Sequence, residues 1–132
     1  MGDLNTVRAF NIPADDIGRA SAFYEKVFGW NARSIPGSGG DYHSLVMQTG
    51  SEDNRRCEPI AGGLYRRGTN GLDQVFLEVT VGSIDRCLEA VLAGGGRLVR
   101  DKKPMLDFAF FAVVQDTEGN LLGLWEDIPG KE

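Results

Sequence analysis

Two stretches of the chain, FNIPADDIGRASAFYEKVFGW from Phe10 to Trp30 and LEVTVGSIDRCLEAVLAGGGR from Leu77 to Arg97, are written to one plan. With Phe10 laid on Leu77, the alternating residues Phe10, Ile12 and Ala14 fall on Leu77, Val79 and Val81, the pattern of a half-buried strand. Ile17 then meets Ile84, Arg19 meets Arg86, and Gly29 meets Gly96. In the same register SLVMQ (Ser44 to Gln48) meets FAVVQ (Phe111 to Gln115). A shorter shift lays GGLYRR from Gly62 on LGLWED from Leu122, so the first copy carries a longer loop, read as Thr49 to Ile60. Two copies of this length point to a duplicated module, because a solenoid needs three or more.

Each copy reads strand, helix, then further strands. Asp15 or Asp16 can cap the first helix by accepting bonds from its free N–H groups. The spacing predicts an inward stripe of Ile17, Ala20, Phe23 and Val27, flanked by Tyr24 and Phe28, with Gly29 ending the helix in a left-handed conformation. The second helix is expected to start at Ser83, to bury Ile84, Cys87, Leu88, Val91 and Leu92, and to stop at Gly94, Gly95 and Gly96. Strands are expected at Asn31 to Ile35, Tyr42 to Gln48, Gly62 to Arg67, Leu98 to Arg100, Phe108 to Gln115 and Leu121 to Glu126. PGSGGD, RRGTNGLD and DTEGN supply the turns, while RDKKPM and NRRC read as short solvated basic turns. The expected architecture is an α+β chain of two βαβββ modules, about Val7 to Gly68 and Asp73 to Asp127, within one domain spanning Met1 to Glu132.

Composition narrows the function. The 132 residues are 42% apolar and 25% charged, with a formal charge of −5, an ordinary globular balance. An acidic chain lacks the basic face that a nucleic-acid backbone requires. No apolar run approaches a membrane span, and MGDLNT has no basic or apolar leader, so a cytoplasmic protein is expected. Cys87 falls at an apolar helical position and reads as a buried small hydrophobe; Cys57, beside Arg55 and Arg56, is a candidate reactive thiol. His43 is the single histidine, so a site with two His ligands cannot form within one chain. GSGG at Gly37 to Gly40 lacks the Lys-Ser/Thr of a phosphate loop and reads as a lip of the site.

The repeat resembles the vicinal oxygen chelate superfamily, which includes glyoxalase I, bleomycin-resistance proteins and extradiol dioxygenases. IPADDIGRASAFYEKVFGW carries the resemblance in the first half, and VTVGSIDRCLEAVLAGGGRLV with DTEGNLLGLWE in the second; together they cover about Val7 to Asp127. The resemblance implies a cupped mixed sheet with helices outside, a small-molecule ligand or substrate within the cup, and a homodimer. It also implies a divalent metal held by residues from the first and last strand of each module. Those ligand positions fall here on Ala9, Gly63, Phe76 and Gly123, none of which offers a donor atom, so no metal cofactor is expected.

Side chains two apart on a strand share a face. With Ala9, Gly63, Phe76 and Gly123 turned into the cup, so are Asn11, Glu78, Thr80, Tyr65 and Trp125. A carboxylate, an amide, a hydroxyl and aromatics around a few glycines is the make-up of a small-molecule site. Acidic and aromatic together, it favours a planar, cationic or hydrogen-bond-donating ligand. Glu78, flanked by Leu77 and Val79, is the candidate general base, with Asn11 and Thr80 orienting substrate; the competing expectation is an ion pair with an arginine such as Arg66. For Tyr65, Phe76 and Trp125, ligand contact competes with plain packing. The readings are a metal-independent binding protein or enzyme first, then a metal-dependent lyase or dioxygenase of the glyoxalase type, or a non-catalytic interaction subunit.

Overall fold

The computed structural model of the chain describes Leu4–Met47 and Ile60–Pro129. Cys57 and most of the loop read from Thr49 lie outside the described residues. In chain order the elements are β1 (Thr6–Ala14), α1 (Ile17–Phe28), β2 (Asn31–Ser34), β3 (Tyr42–Val46), β4 (Ala61–Arg66), β5 (Phe76–Thr80), α2 (Ile84–Ala93), β6 (Arg97–Met105), β7 (Ala109–Gln115) and β8 (Leu121–Asp127). This is βαβββ twice, an α+β chain. One compact unit runs from Ala9 to Val75; the other joins the chain up to Arg8 with the chain from Phe76 on.

In the Ala9–Val75 unit the strands lie in the order β2-β3-β4-β1, with β1 parallel to β4 and the other pairs antiparallel. Asp16 opens α1, its Oδ1 accepting from the Arg19 N–H at 2.9 Å. Gly29 closes it at φ 74°, a conformation that a side chain disfavours. Beneath the helix Ala14, Leu45 and Leu64 form a core with Phe10, Ile12, Ile17, Ala20, Tyr24 and Trp30 packed against it. His43 shares the face of Leu45; it is half-buried, and its Nδ1 is buried with no hydrogen-bond partner among the described residues. The GSGG segment forms part of the turn between β2 and β3, where the Ser38 hydroxyl donates to the Ile35 carbonyl at 2.7 Å.

The expected stripe of α1 is too wide. Phe23, Val27 and Phe28 are more than half exposed, and contact with the core runs along Ile17, Ala20 and Tyr24. Phe23 and Val27 sit a step around the helix from that line, so the short strands beneath never reach them. Phe28 spends its ring on Trp30, stacked at 4.9 Å.

In the second unit the order is β5-β8-β7-β6, with β5 parallel to β8. Ser83 caps α2 through the Arg86 N–H, and Glu126 from β8 accepts from the Ile84 N–H at 2.8 Å. A carboxylate at that end also complements the helix dipole. Val81, Ile84, Ala112, Val114 and Leu124 form the core, with Cys87, Leu88 and Val91 packed on it. Burial pushes the Cys87 thiol above its ordinary pKa, in keeping with an inert core cysteine. Leu92, expected inside, is 61% exposed.

RDKKPM is strand rather than turn. It belongs to β6, which pairs with β7 through two shifts of register, between Leu98 and Arg100 and between Arg100 and Lys103. Lysines, a proline and bulges are devices that edge strands tolerate and use against unwanted pairing. Among the described residues no helix is long and apolar enough to cross a membrane.

Candidate functional site

Each unit has a sheet face turned away from its helix, and the candidate residues lie on these two faces. The repeat puts matching chemistry on both. Among the described residues only Asn11 and Glu78 are buried polar side chains, 7% and 8% exposed. They occupy equivalent places in the two copies: Asn11 is the register partner of Gly63 on β4, and Glu78 that of Gly123 on β8. Both glycines are required by closeness. A Cβ on Gly63 would run into the Asn11 amide oxygen, and one on Gly123 would meet Phe111 Cε1 at 2.8 Å and Glu78 Cγ at 3.2 Å.

In the Ala9–Val75 unit Tyr65 is 1% exposed and donates from its hydroxyl to the Gln74 carbonyl at 2.6 Å. Burial, helped by the charge of Asp73, pushes its pKa up to about 12. Tyr42 lies beside it, ring centres 6.5 Å apart, and its hydroxyl accepts from the Asn70 amide at 2.6 Å.

The second unit holds the charged chemistry. Arg8, at the start of β1, donates from Nη1 to Glu78 Oε2 at 2.9 Å. Its guanidinium carbon lies 3.9 Å from the centre of the Trp125 ring, a cation–π stack. Trp125 is held in turn, its indole N–H donating to Asp127 Oδ1 at 2.8 Å and its ring meeting Phe108 at 5.9 Å. Thr80 is the register partner of Trp125, and its carbonyl accepts from the Asn5 N–H. Phe76 is 4% exposed and packs on Phe111 with ring centres 6.3 Å apart.

Glu78, Thr80, Phe76 and Trp125 therefore share one face of one unit, while Asn11 and Tyr65 share the corresponding face of the other. The arginine is not the one expected. Arg66 pairs with Asp41 at 3.2 Å within the Ala9–Val75 unit, and Glu78 takes Arg8 instead. Alternation along β1 groups Arg8 with Phe10 and Ile12, away from Asn11, so no local signal pointed to it. Asp127 was within reach of sequence reasoning, since two residues beyond Trp125 on one strand is the same face.

The residues present do not fit the metal that the resemblance implies. Ala9 and Phe76 bring no donor atom, and a longer side chain at position 63 or 123 would have to displace Asn11, Phe111 or Glu78.

Comparison with known proteins agrees with this architecture. Residues 6–40 match the family model for the N-terminal part of bleomycin resistance protein-like proteins. CFP32 of Mycobacterium bovis, provisionally named a glyoxylase, is 24% identical over 119 residues, which is 88% of this chain and 43% of the relative. The chain thus spans less than half the length of that curated relative. A glyoxalase/bleomycin resistance protein/dioxygenase superfamily member from Vibrio splendidus has TM-score 0.61 and 17% identity, covering 92% of this chain and 100% of the other. The Mn(II)-bound glyoxalase from Novosphingobium aromaticivorans has TM-score 0.61 and 15% identity, covering 95% of this chain and 40% of the other. These likenesses show that the chain has the glyoxalase/bleomycin resistance/dioxygenase fold.

Proposed function

We propose that this glyoxalase-like protein binds a small organic molecule on the sheet face that carries Glu78 and Trp125, without the divalent metal used by metal-dependent relatives. One observation carries the reading: a buried carboxylate beside an indole face, at a place where the first copy of the module manages with an amide and a phenol. Burying a carboxylate costs several kcal/mol before partners repay it. Its use in one copy alone favours a purpose beyond holding the sheet.

Glu78 serves the ligand as a charge and hydrogen-bond acceptor. The general-base role is the weaker reading, because Oε2 is already engaged by Arg8. Asn11 and Tyr65 are the corresponding polar and aromatic residues on the equivalent face of the other module, and Phe76 and Thr80 complete the Glu78 face.

A thermal-shift screen of small molecules tests this reading. Ligands that raise the Tm of the unaltered chain should lose their effect on Glu78→Gln and on Trp125→Leu. Hits indifferent to both substitutions would overturn it. Where a hit is also turned over, a Glu78→Gln variant that binds but does not react would restore the base role.

A further inference from the structure

We propose that Glu78 and Trp125 form a receptor for a planar organic cation of the guanidinium or amidinium class, which Arg8 fills as an intramolecular ligand. This deepens the proposed function and rests on the reading of that face as the ligand site. The contacts Arg8 makes are those such a ligand would make: an N–H to carboxylate bond of 2.9 Å and a flat cation 3.9 Å from an indole centre. Guanidinium meets carboxylate in a matched planar geometry, and indole is the strongest of the aromatic faces for a cation.

The fold does not demand the pair. Aligned on the repeat, Glu78 corresponds to Asn11, Trp125 to Tyr65 and Arg8 to Val75. The first copy builds the same strands and helix with no ion pair at that place. The ring is also prepared for a visitor: Asp127 and Phe108 fix it from two sides, and Asp127 adds a second negative charge beside the indole.

Arg8 is placed to yield. Its side chain is 36% exposed against 11% for Glu78, so water reaches the guanidinium while the carboxylate stays inside. An external cation competes with a tethered one, which makes affinity for the unaltered chain weak and relieves it when the tether is cut.

Chemical rescue tests the proposal on the full chain. Arg8→Ala should melt below the unaltered protein. Millimolar methylguanidinium chloride should then raise its Tm by roughly 3 °C over equimolar sodium chloride. The unaltered protein and the Arg8→Ala/Glu78→Gln double variant should show no such gain. Arg8→Lys keeps a charge against Glu78 but loses the planar fork, and gives the same comparison should Arg8→Ala fail to fold. Absence of any gain over sodium chloride in both single variants would overturn the proposal. If neutral or anionic compounds stabilise these variants through Trp125 while methylguanidinium does not, the cation class is wrong and the ligand face stands. If no compound of any class does so, both readings fall.

Discussion

Arg8 and Glu78 illustrate how unequal the two halves of a buried pair can be. Removing Arg8 takes a charged donor at 2.9 Å from a carboxylate that is 8% exposed, whereas Glu78→Gln leaves an amide much like that of Asn11 in the other copy. Arg8→Ala should therefore cost about 2 kcal/mol in urea unfolding, Glu78→Gln clearly less, and the double variant should recover part of the loss. Equal costs for the two single changes would contradict the asymmetry. Tyr65 makes a pH prediction. Its pKa is raised in the folded state, so its contribution is complete below the ordinary tyrosine value near 10.0 and is lost as pH climbs through about 12. Stability should fall across that window more steeply in the unaltered chain than in Tyr65→Phe, as read by urea midpoints. Parallel profiles would show that the hydroxyl is not held as described. Gly123→Ala should cost about 1–3 kcal/mol, since the new methyl meets Phe111 at 2.8 Å. At this scale the sequence placed Glu78, Thr80, Phe76 and Trp125 on one face, because alternation is local. It missed Arg8, because a partner seventy positions away is chosen by strand order, which no short pattern encodes.

Helix ends were the most legible elements. Asp16, Ser83 and Gly29 do what their chemistry suits them for, and Asp16→Ala should lower stability by about 1 kcal/mol. Helix faces were harder to read. Phe23 continues the apolar spacing of α1 yet is 56% exposed, since periodicity gives the direction of a stripe and the sheet beneath decides its width. Phe23→Ser should accordingly change stability by no more than about 0.5 kcal/mol, while Tyr24→Ala, which removes a ring packed against the core and stacked on Trp30, should cost several times more. A loss at Phe23 as large as at Tyr24 would place the stripe where the spacing alone put it. β6 departs from its composition for a related reason: RDKKPM has the make-up of a turn, and only pairing with β7 makes it strand.

Duplication organises the whole chain, and it made the fold readable when each motif alone was weak. Strand, helix and three strands recur in order, so an error in one copy is checked by the other. The same comparison supports the proposed site. Where the copies agree, at Gly63 and Gly123, they report packing; where they differ, at Asn11 and Glu78, the difference carries charge into one copy only. The identity of the ligand was beyond the sequence, because a buried carboxylate states a charge preference and no shape. What we propose is a small-molecule site that works without the metal the resemblance implies. Native mass spectrometry on protein purified without chelator or immobilised metal tests it most directly, and the same spectrum shows whether the chain pairs with a second copy as the resemblance implies. The prediction is the bare polypeptide mass, as one chain or two; one transition-metal ion bound stoichiometrically per chain would contradict it and return the metal-dependent reading to first place.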